Sequence, residues 1–200
     1  MTDKTTFAPP SVLRRLETAS ATSLLELLAS FEDLQTVLRC CERLMSELTG
    51  DGEPDDIVIE AVWTTALLSY ARCFSTGGTR GALTEADLTA TLAHGDVLDW
   101  HRVLLKLRDH YADPITNPRE RFSVGVAQGP EGSADGVGVT SARQPLVDDV
   151  TVRQTGAIAF AMSNLVNDRI AAQQKMVFAE VKDTSKADLD TLARLDIAPE

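Results

Sequence analysis

The sequence predicts a mainly α protein, a helical bundle of about five to seven helices with one inserted β-hairpin. Three observations carry this. Apolar residues step by three and four over Ala19–Thr49 and in later segments. Two short stretches, 122–127 and 136–142, alternate instead with period two around a Gly/Pro-rich segment. Of 200 residues, 44% are apolar, which suits one packed domain, and only 5% are aromatic, so the core must be aliphatic.

Residues 1–10 are polar and read as a flexible N-terminal tail, closed by Pro9 and Pro10. A single domain, 11–200, follows, and Ser11 is placed to cap a short opening helix. The first long helix spans Ala19–Thr49, with Leu24, Leu27, Phe31, Leu34, Leu38, Cys41 and Leu44 on one stripe. The segment Gly50 to Pro54 stops it. A second helix runs from about Pro54 to Ser75 on the stripe Ile59, Val62, Trp63, Ala66, Leu67, Tyr70, Cys73 and Phe74. Glycines 77, 78 and 81 make a loop. Thr84, with Asp87 three positions on, is a variant capping box that opens a short helix to about Leu92.

The next helix starts near His94 and reaches about Ala112, with Asp96 and Asp99 in the first turn, where the helix dipole favours acids. Its apolar face is Val97, Trp100, Leu104, Leu107 and Tyr111, and Pro114 and Pro118 end it. The hairpin spans about 120–143 and is expected to carry a long, mobile loop over 128–135. Because an isolated hairpin is marginal in water, it must pack on helices or pair with another chain. Asp148 and Asp149 open the last long helix, whose stripe includes Val152, Ile158, Met162, Val166 and Ile170. Ser185 and Asp188 cap a short final helix carrying Leu189, Leu192 and Leu195.

Charge and cysteine content narrow the function classes. Thirty acids against nineteen Lys and Arg give a net charge of −11. Duplex nucleic-acid binders present a basic face to phosphate, so RNA is a disfavoured partner. Cys40, Cys41 and Cys73 form no Cys-x-x-Cys pair and no even framework, which argues against a zinc site or a disulfide scaffold. They read as small apolar residues in a reducing cytoplasm. No apolar run approaches the roughly 20 residues that span a bilayer, so no membrane association is expected.

Candidate chemistry is sparse. His94 and His101 are seven apart and share a helix face, but no ligand stands at i+4, so no metal is expected. Cys73 could meet His101 across helices as a nucleophile–base pair, although buried thiols are usually inert. Residues 77–81 resemble a phosphate-cradling loop but lack the Lys-Ser/Thr ending and a preceding strand, so no nucleotide cofactor is implied. Glycines on both sides of Arg80 leave that side chain free to reach, and with Arg72 it is a candidate for anion binding. Arg108 and Asp109 are placed to pair locally or across helices, most simply as a structural ion pair at a bundle interface.

Two stretches carry a resemblance. One is the run Trp63 to Phe74, containing Tyr70, Arg72, Cys73 and Phe74, followed by Arg80; the other is Leu107 to Asp113, containing Arg108, Asp109 and His110. Together, over about residues 55–180, they resemble bacterial helical proteins whose layout is similar to HEPN-type domains of the abortive-infection kind. That resemblance implies a homodimeric helical bundle. In HEPN ribonucleases an Arg, followed after about four to six residues by a His, lies at the dimer cleft, the Arg stabilising phosphate charge and the His transferring protons. Arg108 and Asp109 match the start of that motif. No His follows His110, and His110 lies only two positions from Arg108. The reading is therefore a non-catalytic HEPN-like binding or scaffold protein. One alternative is a metal-independent ribonuclease using Arg108, Asp109 and His110 in a non-standard arrangement. Another is a structural oligomerisation protein whose hairpin pairs across a subunit interface.

Overall fold

The computed structural model describes residues 12–75, 83–91 and 96–195. The expected tail, the Ser11 cap, His94 and Arg80 with its glycine loop lie outside these residues. Within them the chain is mainly α, as its periodicity predicts, with six helices and one exposed hairpin.

The order begins with a two-residue strand, β1 (Leu13–Arg14), where a short helix was expected. Val12, Leu13 and Leu16 have helical spacing, but the stretch pairs instead with the other end of the chain, Leu13 opposite Leu195. Helix α1 (Ala19–Thr49) is capped by the Thr18 hydroxyl, which accepts from Ala21 N at 3.2 Å. At its other end a Cβ on Gly50 would stand 3.0 Å from the Ser46 carbonyl, so that exit suits glycine. Helix α2 (Asp56–Cys73) starts two residues later than its pattern suggests, because the Asp55 carboxylate takes the cap, accepting from Ile57 N and Val58 N. Helix α3 (Glu85–Thr91) opens on the expected box: Thr84 N donates to Asp87 at 2.8 Å and Asp87 N to the Thr84 hydroxyl at 3.3 Å. Helix α4 (Val97–Ala112) ends at Asp113.

The hairpin strands are β2 (Glu120–Gln128) and β3 (Ala134–Arg143), in antiparallel register from Glu120 opposite Arg143 to Val126 opposite Val137. The connection is tighter than the expected long loop. Gly132 adopts φ +80, a value that favours glycine, and with Gly129 closes the turn within residues 129–133. Helix α5 (Asp149–Val181) is capped by Asp148, which accepts from Thr151 N at 2.8 Å. Helix α6 (Lys186–Thr191) is capped by Ser185 but stops short of Leu192. Leu195, expected on that helix, lies in β4 (Arg194–Leu195) opposite Leu13.

Helices α1 and α5 run antiparallel, stitched by Gln35 to the Ser163 hydroxyl at 2.8 Å and by Gln173 to the Ser20 carbonyl at 2.9 Å. Helix α2 packs between α1 and α4. It buries Ile59, Trp63, Ala66, Leu67, Tyr70 and Cys73 on one face at the centre of the core, while Ile57, Ala61, Thr65 and Leu68 form an exposed stripe. The hairpin shares in none of this: every residue of β3 is exposed, as is every residue of β2 after Glu120.

Candidate functional site

The C-terminal end of α4 holds the three candidate residues Arg108, Asp109 and His110. Consecutive helical residues point about 100° apart, so they do not converge on one point. Arg108 Nε lies 2.7 Å from Asp109 Oδ1, a charge contact without hydrogen-bond alignment. The local pairing is thus the one formed, not a bond across helices. His110 is half-buried with its ring edge-on to Tyr111, the centroids 5.8 Å apart.

Asp113 follows Arg108 after four intervening residues, the spacing at which the HEPN resemblance requires an imidazole. Its carboxylate accepts from Thr116 Oγ1 at 2.6 Å and from Ile115 N at 2.9 Å, closing an Asx-type turn before β2. The hydrogen bonds from Thr116 and Ile115 hold that carboxyl below its usual range.

Beside His110 the turn and the hairpin base enclose an open groove of about 440 Å³, lined by His110, Thr116, Asn117, Glu120, Arg121, Phe122 and Gln144. Arg119 pairs with Glu60 at 2.6 Å and Arg143 with Asp56, so two arginines fasten the hairpin to the start of α2. A smaller cleft of about 100 Å³ lies where these ion pairs meet Tyr111. Sequence reading missed the groove, because Arg121, Asn117 and Gln144 are brought to His110 by the turn and not by any motif spacing.

Arg72, the candidate anion binder, is already occupied. Its Nη2 donates to Asp33 Oδ1 at 2.6 Å and its Nε to both Asp33 oxygens, at 3.0 and 3.1 Å. The hydrogen bonds to Asp33 raise its pKa further. Helices α2 and α4 are antiparallel: Tyr70 meets His101 at one end, and Arg119, just beyond α4, meets Glu60 at the other. Arg108 is therefore level with about Trp63, and Arg72 stands ~13 Å along the axis from it. The two arginines do not form one site.

Among the described residues three buried polar atoms, Ser30 Oγ, Trp100 Nε1 and Arg108 Nε, have no hydrogen-bond partner, but Tyr70, His101 and Cys73 do. Tyr70 Oη lies 2.9 Å from His101 Nδ1. Burial pushes the Tyr70 hydroxyl up and the imidazole of His101 down, so both are neutral and the phenol donates. The Cys73 thiol lies against the Ser69 and Ser30 carbonyls, at 3.4 and 3.6 Å, and His101 is taken by Tyr70. The pairing of Cys73 with His101 is therefore not formed. Burial raises the Cys73 and Cys41 thiols to about 12. Cys40, expected buried, is only half so. Among the described residues no group of three or more His, Cys, Asp or Glu is placed to hold a metal, and no helix is long and apolar enough to cross a membrane.

Comparison with protein-family models, with curated proteins and with solved structures finds no match.

Proposed function

We propose that this chain is a non-catalytic, HEPN-like helical binding or scaffold protein that acts as a homodimer. Asp113 carries the reading. It stands where an acid–base histidine would work, yet both its oxygens close a turn and its carboxyl is held ionised. A group held ionised has no proton to give a leaving oxygen near neutral pH. Arg108, which would be the phosphate clamp of the HEPN motif, faces its neighbour Asp109. The net charge of −11 supports a protein partner over RNA. A cytoplasmic role in defence or stress rests on fold-level analogy with abortive-infection proteins.

The test is cleavage of total RNA and tRNA by purified protein beside Arg108→Ala, across pH and with several divalent metals. We expect no cleavage above background from either protein, and a lower Tm for the variant, because Arg108 is packed at the end of α4. Cleavage that disappears in Arg108→Ala would overturn the reading in favour of a ribonuclease. An unchanged Tm would remove the structural role assigned to Arg108.

A further inference from the structure

The hairpin is a ribbon with two unlike faces. Cross-strand partners share a face, so Phe122, Val124, Val126, Val137 and Val139 lie together on one side. All five are between 58% and 73% exposed. The opposite face carries Arg121 opposite Ala142 at its base and then only small pairs, Ser123 opposite Thr140 and Gly125 opposite Gly138. A bare two-stranded ribbon is marginal in water, and only the valine face has apolar area to bury.

We propose that this face docks on the same face of a second copy of the chain, the two ribbons antiparallel, each tip seated in the partner's groove beside His110. The proposal gives a location to the homodimer of the reading above and rests on that part of it. Three features favour a second copy.

The first is area. Five side chains at these exposures present on the order of 500 Å². Two faces pressed together remove about 1,000 Å² from water, the lower bound for specific association.

The second is length. Strand β2 has nine residues, so its tip stands ~30 Å from its base, and full antiparallel overlap sets each tip at the partner's base, where the groove opens.

The third is charge. The tip carries Glu131 and Asp135. Arg119 and Arg143 are matched by Glu60 and Asp56; the charged side chains that line the groove are Glu120 and Arg121, and Arg121 is the cation there for an incoming acid. A parallel arrangement would instead bring the four tip acids together. One surface thus carries both halves of the contact, as an isologous dimer requires.

Sedimentation velocity of the full chain over micromolar concentrations tests this. The wild type is expected to dimerise. The pair Val124→Thr with Val139→Thr keeps strand-favouring, β-branched side chains while removing apolar area, and should weaken the dimer by ~100-fold or more. Its Tm and helical circular dichroism should match wild type, since the ribbon lies outside the core. Glu131→Arg with Asp135→Arg should weaken the dimer by ~10-fold, although it lowers the overall negative charge. Adding Arg121→Glu to that variant should restore the dimer. A monomeric wild type overturns the homodimer and the docking together, while the RNA assay still decides catalysis separately. A dimer indifferent to the two Val→Thr changes places the interface elsewhere. Tip reversal that tightens the dimer, with no rescue by Arg121→Glu, overturns the antiparallel arrangement.

Discussion

The helical body and the hairpin solve the burial problem in opposite ways. Within the body α2 buries one face against α1 and α4, and two of its polar side chains close internally: Arg72 on Asp33, Tyr70 on His101. In the hairpin the strands pair in register from Glu120 to Ala127, with a shift before Gln128, yet five large apolar side chains face solvent. The core lies in the body, and the hairpin's apolar face has no cover among the described residues. The proposed docking uses the second region, because exposed apolar area is what association removes from water.

The largest expected effect sharpens this contrast. Trp63 is 2% exposed at the centre of the core, and Trp63→Ala should cost about 3–5 kcal/mol, a cavity that its neighbours cannot close. Val126→Ala, at 69% exposure, should change monomer stability by less than about 0.5 kcal/mol. Urea unfolding of both variants under monomeric conditions is the check. Comparable losses would mean that the ribbon is part of the folding unit and would break the comparison.

The two regions also differ in how far their sequences could be read. The body was legible because its helices follow a 3.6-residue stripe, and Thr84, Asp148 and Ser185 cap where capping chemistry places them. Strand pairing in the hairpin was legible from its alternation, but the turn was not. Gly132 shortens it through a single positive φ, which composition does not signal. The chain ends were misread because β1 and β4 pair across almost the whole sequence, and no local pattern encodes that contact. At the site, Arg108 with Asp109 was readable as neighbours. The partner of Arg72 was not, because Asp33 lies 39 positions away on another helix.

A smaller effect concerns pH and belongs to the body alone. Burial holds the His101 pKa below the ordinary histidine value of 6.5, the Glu85 carboxylate opposing and the Arg102 guanidinium reinforcing it. Above that value both folded and unfolded states are neutral, and His101 contributes no pH dependence. As pH falls below it, the unfolded state takes up a proton that the folded state resists, so stability declines until the folded pKa is passed. Tm should drop by a few degrees between about pH 7.5 and 5.5. His101→Gln, whose carbonyl still accepts from Tyr70, should flatten that slope. An unchanged slope would show that the imidazole is not the group responsible.

The smallest effect compares one ion pair from each region. Asp33 holds Arg72 through three hydrogen bonds between α1 and α2, its own side chain 13% exposed. Asp56 holds Arg143 at the hairpin base, where the arginine is 74% exposed. Bidentate geometry and partial burial favour the first pair, but Arg72 is 42% exposed, so solvent screening limits its worth. Double-mutant cycles with Arg→Gln and Asp→Asn should give a coupling of about 1 kcal/mol for Arg72 with Asp33. For Arg143 with Asp56 the coupling should be under ~0.3 kcal/mol, and added salt should erase it. A larger coupling at the hairpin base would mean that the ribbon is held rigidly to α2. The docking surface would then be fixed in orientation by the body, and mutations in α2 would reach it.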